Sequence, residues 1–452
     1  HTSKGTMQPM EPLTGAHTTG LLTDHYELTM LQAALAAGTG DRRSVFEMFA
    51  RRLPEGRRYG VVAGVGRALD AVERFRFTEQ QAEFLHREGV VDEVTADWLA
   101  DYRFSGDIWG YSEGELWFAY SPVLVVEGSF AEAVLLETVL LSIYNHDCAI
   151  ASAASRMTWA AGDRPCIEMG SRRTHEEAAV ATARAAYVVG FESTSNLAAR
   201  AMYGVPSRGT SAHSFTLLHD TERDAFRAQV DSLGVGTTLL VDTYDIAEAV
   251  GLAIEVAGPE LGAVRIDSGD LGLLAHEVRA QLDSLGAKQT RIIVTSDLDE
   301  YAIAALAAAP VDGYGVGTQV AVGSGHPTSG FVYKLVSRED DQGQMVSVAK
   351  KAKEKGSVGG RKHALRRLND SGVATAEVVG INRSPAADDT DTTPPIGRDR
   401  SLLVPLVANG DIVGRESLEA ARERHLSARA ELPPQAQQLS RGQAVIPTVF
   451  ES

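Results

Sequence analysis

The chain has 452 residues, 44% of them hydrophobic and 23% charged, with a formal net charge of −17. That mix suits a soluble globular protein of two or three domains with ample core. The negative balance disfavours a nucleic-acid or anionic-membrane partner, since both need a cationic face, but it leaves room for small anionic substrates held by a few placed arginines.

Only two cysteines occur, Cys148 and Cys166, so a disulfide scaffold or structural zinc site is not expected. No apolar run reaches about 18 residues, and no membrane span is expected. Residues 1–20 are polar and lack the apolar core of a signal peptide, and residues 1–6 read as an expression remnant before Met7 or Met10. The expectation is a cytoplasmic protein.

Taken in order, a helix is expected from about residue 21, capped by Thr23 or Asp24 and carried by strong helix formers over 26–37. A short strand follows at 45–49, then helices at 68–75 and 78–88. Residues 106–128 hold apolar runs punctuated by glycine and proline and read as β-rich. Helices are expected over 131–143 and the alanine-rich 149–161.

From Cys166 short apolar runs alternate with helical segments of about a dozen residues, the pattern of repeated βα units. Strands are expected near 166–170, 188–192, 206–211, 238–243, 262–267, 291–295, 312–317 and 330–336. Eight strands point to a closed or nearly closed β/α barrel, with an open doubly wound sheet as the competing architecture. No G-x-G-x-x-G opens a helix early in this region, so a dinucleotide-binding half is not expected.

After about residue 337 the pattern breaks. Residues 350–367 are basic, 384–400 are rich in Asp, Thr and Pro and read as a flexible loop, and short strands resume at 402–407. The organisation expected is α/β: a tag remnant or disordered terminus (1–20), a mixed α+β N-terminal domain (21–160), a complete or incomplete β/α barrel-like catalytic domain (161–340), and a C-terminal segment (341–452). That last segment is expected to pack on the N-terminal domain, leaving the barrel as an insertion.

Reactive groups of β/α barrels sit at the C-terminal ends of strands, and five polar segments fall there, at 169–173, 209–215, 264–270, 294–297 and 314–318, all but 294–297 marked by glycine. In Tyr314-Gly315-Val316-Gly317-Thr318 the glycines let backbone N–H groups approach a phosphate and Thr318 adds a hydroxyl; a tight turn is the plain alternative. Arg265 and Asp267 alternate with Val264 and Ile266 and so share one side of a strand. Arg265 suits a carboxylate or an aromatic face, and Asp267 suits ribose hydroxyls or magnesium, unless the two form a structural ion pair.

Arg172 and Arg173 are expected at a helix start, where anions are favoured. Thr174 with Glu177, and Ser296 with Asp299, fit capping boxes. Asp297 is left as a ligand for magnesium or a sugar. His213, in Gly-Thr-Ser-Ala-His-Ser-Phe (209–215), is a nucleophile able to accept a phosphoryl group, although a lone histidine is more often structural. Tyr26 either packs in the core or stacks on a planar ligand.

Together these segments resemble nicotinate phosphoribosyltransferases from about Leu21 to at least Leu335. The motifs are T-D-x-Y-x-x-T-M, G-S-R-R, G-F-x-x-T-S-N from Gly190 to Asn196, G-T-x-A-H-S-F, V-R-x-D-S-G-D and the late G-x-G-T; Gly359-Gly360-Arg361-Lys362 is a weaker echo. The resemblance implies that nicotinate and 5-phosphoribosyl 1-pyrophosphate give nicotinate mononucleotide and pyrophosphate, coupled to ATP hydrolysis, in NAD salvage.

It implies that His213 is phosphorylated by ATP, with Asp267 in the catalytic group. Tyr26, Thr210 and Arg265 would bind nicotinate. Arg172, Ser268, Gly269, Gly315, Gly317 and Thr318 would hold the phosphoribosyl phosphate and pyrophosphate, with Mg2+ as cofactor and Asp297 as a ligand to it. A homodimer is implied, since Tyr26 reaches the barrel mouth only if a second copy delivers it. Two departures stand out: Met169 where relatives often have phenylalanine, and Glu192-Ser193 where an aspartate and a small residue are common.

The alternatives are a nicotinamide-using phosphoribosyltransferase and a non-catalytic nucleotide-binding protein on the same fold. A metal-dependent lyase or aldolase would need a Schiff-base lysine, for which Lys334 is the notable residue, or clustered carboxylates.

Overall fold

Strand Arg43–Ala50 is buried along its whole length after the first residue, and that decides its place at the centre of a sheet. In this computed structural model, which describes residues 18–351, 356–382 and 399–451, it lies in a seven-stranded sheet. The order is Met345–Ser347, Phe331–Glu339, Arg43–Ala50, Leu124–Ser129, Asp107–Tyr111, Leu403–Ala408, Asp411–Ile412, with every pair antiparallel. The expected N-terminal remnant, most of the 384–400 loop, and Lys353 and Lys355 lie outside the described residues.

Helix His25–Ala36 starts where the sequence indicates. Glu27 accepts from the Asp24 amide (3.2 Å) and, fully buried, also from the Thr138 amide (3.0 Å) and hydroxyl (2.6 Å). The cap therefore also ties this helix to helix Glu137–Ala161. That long helix runs between the two main cores, giving Leu140, Tyr144 and Cys148 to one and Ile150, Ala154 and Met157 to the other. Phe130–Ala161 is long and apolar enough to cross a membrane by length and composition alone, but 67% of its most apolar window is buried in the protein and it serves as a core helix.

The second core fills a six-stranded parallel sheet of order Ser193–Thr194, Cys166–Glu168, Gly313–Val316, Arg291–Val294, Ala263–Ile266, Thr238–Leu240. The sheet is a curled half-barrel flanked by helices, and not a closed eight-stranded barrel. Two expected strands account for the difference, and a third is displaced. The 188–192 strand lies further on, at Ser193–Thr194, because the preceding helix runs to Val188. The 206–211 strand shrinks to one parallel bridge, Thr194 to Ser207.

The 330–336 strand exists as Phe331–Glu339 but leaves the barrel for Arg43–Ala50. There Tyr333 stacks on Phe46 with ring centroids 4.8 Å apart. Burial of aromatic area on both sides outweighs continuation of the parallel sheet.

The tail is built onto the first sheet. Leu403–Ala408 pairs with Asp107–Tyr111, and a four-stranded sheet holds Arg400–Ser401, Lys362–Leu368, Ala374–Ile381 and Thr448–Glu451. Part of the basic 350–367 run is thus a strand. Lys362 is buried against Glu47 (2.6 Å), Arg366 is buried against Glu377 (2.8 Å), and Arg361 meets Glu127 (2.7 Å). These cations are fixed by partners within the protein.

Candidate active site

Strand Ala263–Ile266 buries Val264 and Ile266 and turns Arg265 to the other side, as alternation requires. The guanidinium crosses to the 209–212 loop, where Nη1 donates to the Thr210 hydroxyl (2.7 Å) and Nη2 to the Ser211 carbonyl (3.0 Å). Its Nε is buried without a hydrogen-bond partner among the described residues. Burial pulls its pKa down; Asp267 and Asp242 oppose that, and Arg172 adds to it. An arginine held this way keeps donor capacity for an incoming anion.

Past the strand end, Asp267 accepts from the Thr295 hydroxyl at the end of the neighbouring strand Arg291–Val294. Next to it, Ser268 donates from Oγ to Asp242 Oδ2 (2.6 Å), and the Asp267 amide donates to the same oxygen (3.1 Å). Gly269 takes a left-handed φ of +86° beyond them. Asp242 follows strand Thr238–Leu240 and is almost fully buried; its Oδ1 has no partner among the described residues.

His213 opens the short helix His213–Leu218. Its Nδ1 is 3.0 Å from the Thr243 hydroxyl, and its Nε2 is 3.8 Å from Asp242 Oδ1 and 4.0 Å from Asp267 Oδ2. A half-exposed imidazole with one nitrogen held and the other facing carboxylates is posed for chemistry. Asp242 and Thr243 were not among the residues singled out from sequence. Their only signal was an acid and a hydroxyl directly after the apolar run Leu239-Leu240-Val241, with no glycine to mark them.

The late glycine turn joins the same region. A Cβ on Gly315 would come within 2.4 Å of Thr295 Cγ2 and 2.7 Å of Met169 Sδ, so glycine here permits tight packing of three strand ends. Gly317 precedes the single-turn helix Thr318–Ala321, and the Met169 amide donates to the Val316 carbonyl (2.7 Å). Arg172 and Arg173 are exposed in a turn closed by the Arg173 amide on the Gly170 carbonyl (2.9 Å).

Neither expected capping box forms. His175 caps helix Glu176–Val188 in place of Thr174, because the turn at 170–173 delays the helix. Asp299 caps helix Glu300–Ala305 in place of Ser296, whose φ of +147° lies outside helical space.

Tyr26 does not join this cluster within one chain. It is half exposed on helix His25–Ala36 beside Glu137 and Thr138, and its phenol is pushed up to about 12 by burial and then by Glu137 and Glu27. Asp297 is exposed, and the described residues contain no group of three or more His, Cys, Asp or Glu side chains able to hold a metal.

Over 439 residues, covering 95% of this chain and 94% of the relative, the sequence is 56% identical to nicotinate phosphoribosyltransferase pncB1 of Mycobacterium tuberculosis. The chain belongs to the nicotinate phosphoribosyltransferase family. The family model for the nicotinate phosphoribosyltransferase N-terminal domain matches residues 21–145. The Bacillus subtilis nicotinate phosphoribosyltransferase is 38% identical over 363 residues, 78% of this chain and 74% of that protein. The fold of human nicotinic acid phosphoribosyltransferase superimposes with a TM-score of 0.80 at 24% identity, over 95% of this chain and 98% of that one. Within the family frame, the cluster at the half-barrel mouth combines a half-exposed histidine, two carboxylates, a partly satisfied arginine and a glycine-rich turn.

Proposed function

We propose that the chain catalyses transfer of a phosphoribosyl group from 5-phosphoribosyl 1-pyrophosphate to nicotinate, giving nicotinate mononucleotide and pyrophosphate, with ATP hydrolysis coupled through a phosphate on His213. The observation that carries the reading is His213 facing Asp242 and Asp267 beside the Arg265–Thr210 pair.

Arg265 and Thr210 receive the nicotinate carboxylate. A charged, forked donor with its Nε unmet favours this acid over an uncharged amide. The ring nitrogen attacks ribose C1, and the C1–O bond to pyrophosphate breaks as the C1–N bond forms; the nitrogen lone pair makes a protein base unnecessary. Gly315, Gly317, Thr318, Arg172, Ser268 and Gly269 form the surround for the phosphoribosyl groups. In the coupling step a His213 ring nitrogen attacks the γ-phosphorus of ATP, an N–P bond forms, and ADP leaves with the electrons of the broken P–O bond.

Magnesium, when bound, would neutralise charge on the departing pyrophosphate. The donor set suits it, because Asp242 Oδ1 is a buried oxygen without a partner and Asp267 is half exposed. With few protein ligands, substrate oxygens and water would complete its shell. Asp297 stands ready as an outer acceptor.

The working unit is a homodimer in which a second copy brings Tyr26 to the mouth. Exposed apolar side chains on segments flanking the mouth, Leu217, Leu218 and Tyr244, support such a cover. The experiment is product formation from nicotinate, nicotinamide and quinolinate, with and without ATP, on the wild type and His213→Ala. Nicotinate mononucleotide formed from nicotinate, and accelerated by ATP only when His213 is present, is expected. Preference for another pyridine would replace the substrate assignment, and no product from any would sink the enzymatic one.

A further inference from the structure

Glu168 ends strand Cys166–Glu168, one strand in from the edge of the parallel sheet, 1% exposed, with no cation bonded to it among the described residues. A carboxylate is costly to bury without compensation, and here both oxygens are taken by neutral donors. Oε1 accepts from the Gly170 amide (2.5 Å) and Oε2 from the Thr194 hydroxyl on the adjacent strand (2.5 Å). Thr194 Oγ1 accepts in turn from the Asn196 amide (3.0 Å), and Asn196 Nδ2 donates to Ser171 Oγ (3.0 Å). The circuit therefore closes on the turn that carries Arg172.

The turn held by that carboxylate packs closely against a second turn. A Cβ added at Gly170 would come within 2.8 Å of Glu168 Oε1 and 3.1 Å of the Gly317 carbonyl. Gly170 is thus wedged between Glu168 and the residue that precedes Thr318. The two turns assigned above to the phosphoribosyl substrate thus meet at Gly170, whose amide is held by Glu168.

We infer that Glu168 is a positioning residue, not in contact with substrate, that sets the distance between the Arg172 turn and the Gly317–Thr318 turn and thereby the affinity for 5-phosphoribosyl 1-pyrophosphate. This rests on the function proposed above. It leaves nicotinate recognition at Arg265 outside its reach, so the two substrates respond differently. A bulk loss of structure would move both together.

The test substitutes Glu168→Gln, whose amide can accept from only one of the two donors and turns an N–H toward the other. Titration calorimetry with 5-phosphoribosyl 1-pyrophosphate and magnesium is expected to show Kd raised about tenfold, and kinetics the same rise in its KM, with nicotinate KM and kcat within about threefold. An unchanged Kd, or equal rises for both substrates, overturns the inference.

Should Glu168→Gln fail to fold by near-ultraviolet circular dichroism, Ser171→Ala cuts the circuit at its surface end. It is expected to raise the same Kd by about threefold, and no rise there also overturns it. Wild-type protein that binds the diphosphate but makes no product sinks the functional reading and leaves the calorimetric ratio to decide the positioning one. Wild-type protein that does not bind it overturns both.

Discussion

Nε2 of His213 lies 3.8 Å from Oδ1 of Asp242, a buried carboxylate oxygen with no hydrogen-bond partner among the described residues. The other oxygen of Asp242 is held by the Asp267 amide and the Ser268 hydroxyl, so the free one is aimed. Replacing Asp242 by Asn keeps the shape and removes the charge. Labelling with γ-labelled ATP is expected to show phosphohistidine formation slowed by about tenfold or more, on the order of 1.4 kcal/mol. Unchanged labelling would remove Asp242 from the mechanism.

Arg265 makes two directed bonds to the 209–212 loop and retains a buried, unmet Nε. Lysine can supply the charge but not the fork. Arg265→Lys is expected to raise nicotinate KM by about ten- to a hundredfold with a smaller effect on the phosphoribosyl donor. Parallel loss of affinity for both substrates would mean that the arginine is structural.

Tyr26 and His213 belong to different clusters of one chain. If each mouth is completed by its partner's Tyr26, mixing Tyr26→Ala and His213→Ala chains, neither of which supports the full ATP-accelerated rate, regenerates one intact site in each mixed dimer. Recovery of about a quarter of the wild-type ATP-accelerated rate from random re-pairing is the expected result. Absence of recovery in verified mixed dimers would count against a shared site.

A pH dependence of stability follows from His425. The ring is fully buried, with Nε2 2.8 Å from the Ser155 hydroxyl and Nδ1 3.1 Å from the Gly114 carbonyl. Burial first, then Arg429, push its pKa down from 6.5 to about 3. A depressed folded value means that stability is present above pH 6.5 and is lost as pH falls toward 3, by about 2 kcal/mol at pH 5.

Glu47 acts with the opposite sign. Burial, against Lys362, raises it to about 7, so its contribution is present below 4.5 and is lost as pH rises through 7. Comparing urea midpoints of wild type and His425→Gln at pH 7 and pH 5 isolates the histidine. The variant is expected to lose less on acidification, and identical losses would contradict the assignment.

What could be read in the sequence was local. Alternation of Val264, Arg265, Ile266 and Asp267 fixed which side chains share a side, and the capping candidates Thr23 and Asp24 before the helix formers of 26–37 located the first helix. Two kinds of feature were hidden. Asp242 and Thr243 matter because chain closure brings them to His213, and their own neighbourhood is an ordinary strand end. Phe331–Glu339 has the composition of one more barrel strand, and only the distant Phe46 explains why it pairs elsewhere. The caps at Thr174 and Ser296 failed because the turn at 170–173 and the φ of Ser296 itself moved each helix start onward, an effect of backbone conformation that spacing does not encode.

The pairing of Arg43–Ala50 with Phe331–Glu339 also bears on how the chain is made. During synthesis the central strand emerges with Val45, Phe46, Met48 and Phe49 already in place, while one of its two neighbours is still about 290 residues from the peptidyl-transfer centre. At about 5–20 residues per second, that edge waits on the order of 15–60 s. The nascent chain therefore carries an open apolar ribbon through the synthesis of the whole half-barrel, and shielding it during that interval falls to chaperones or to slow collapse around Leu124–Ser129.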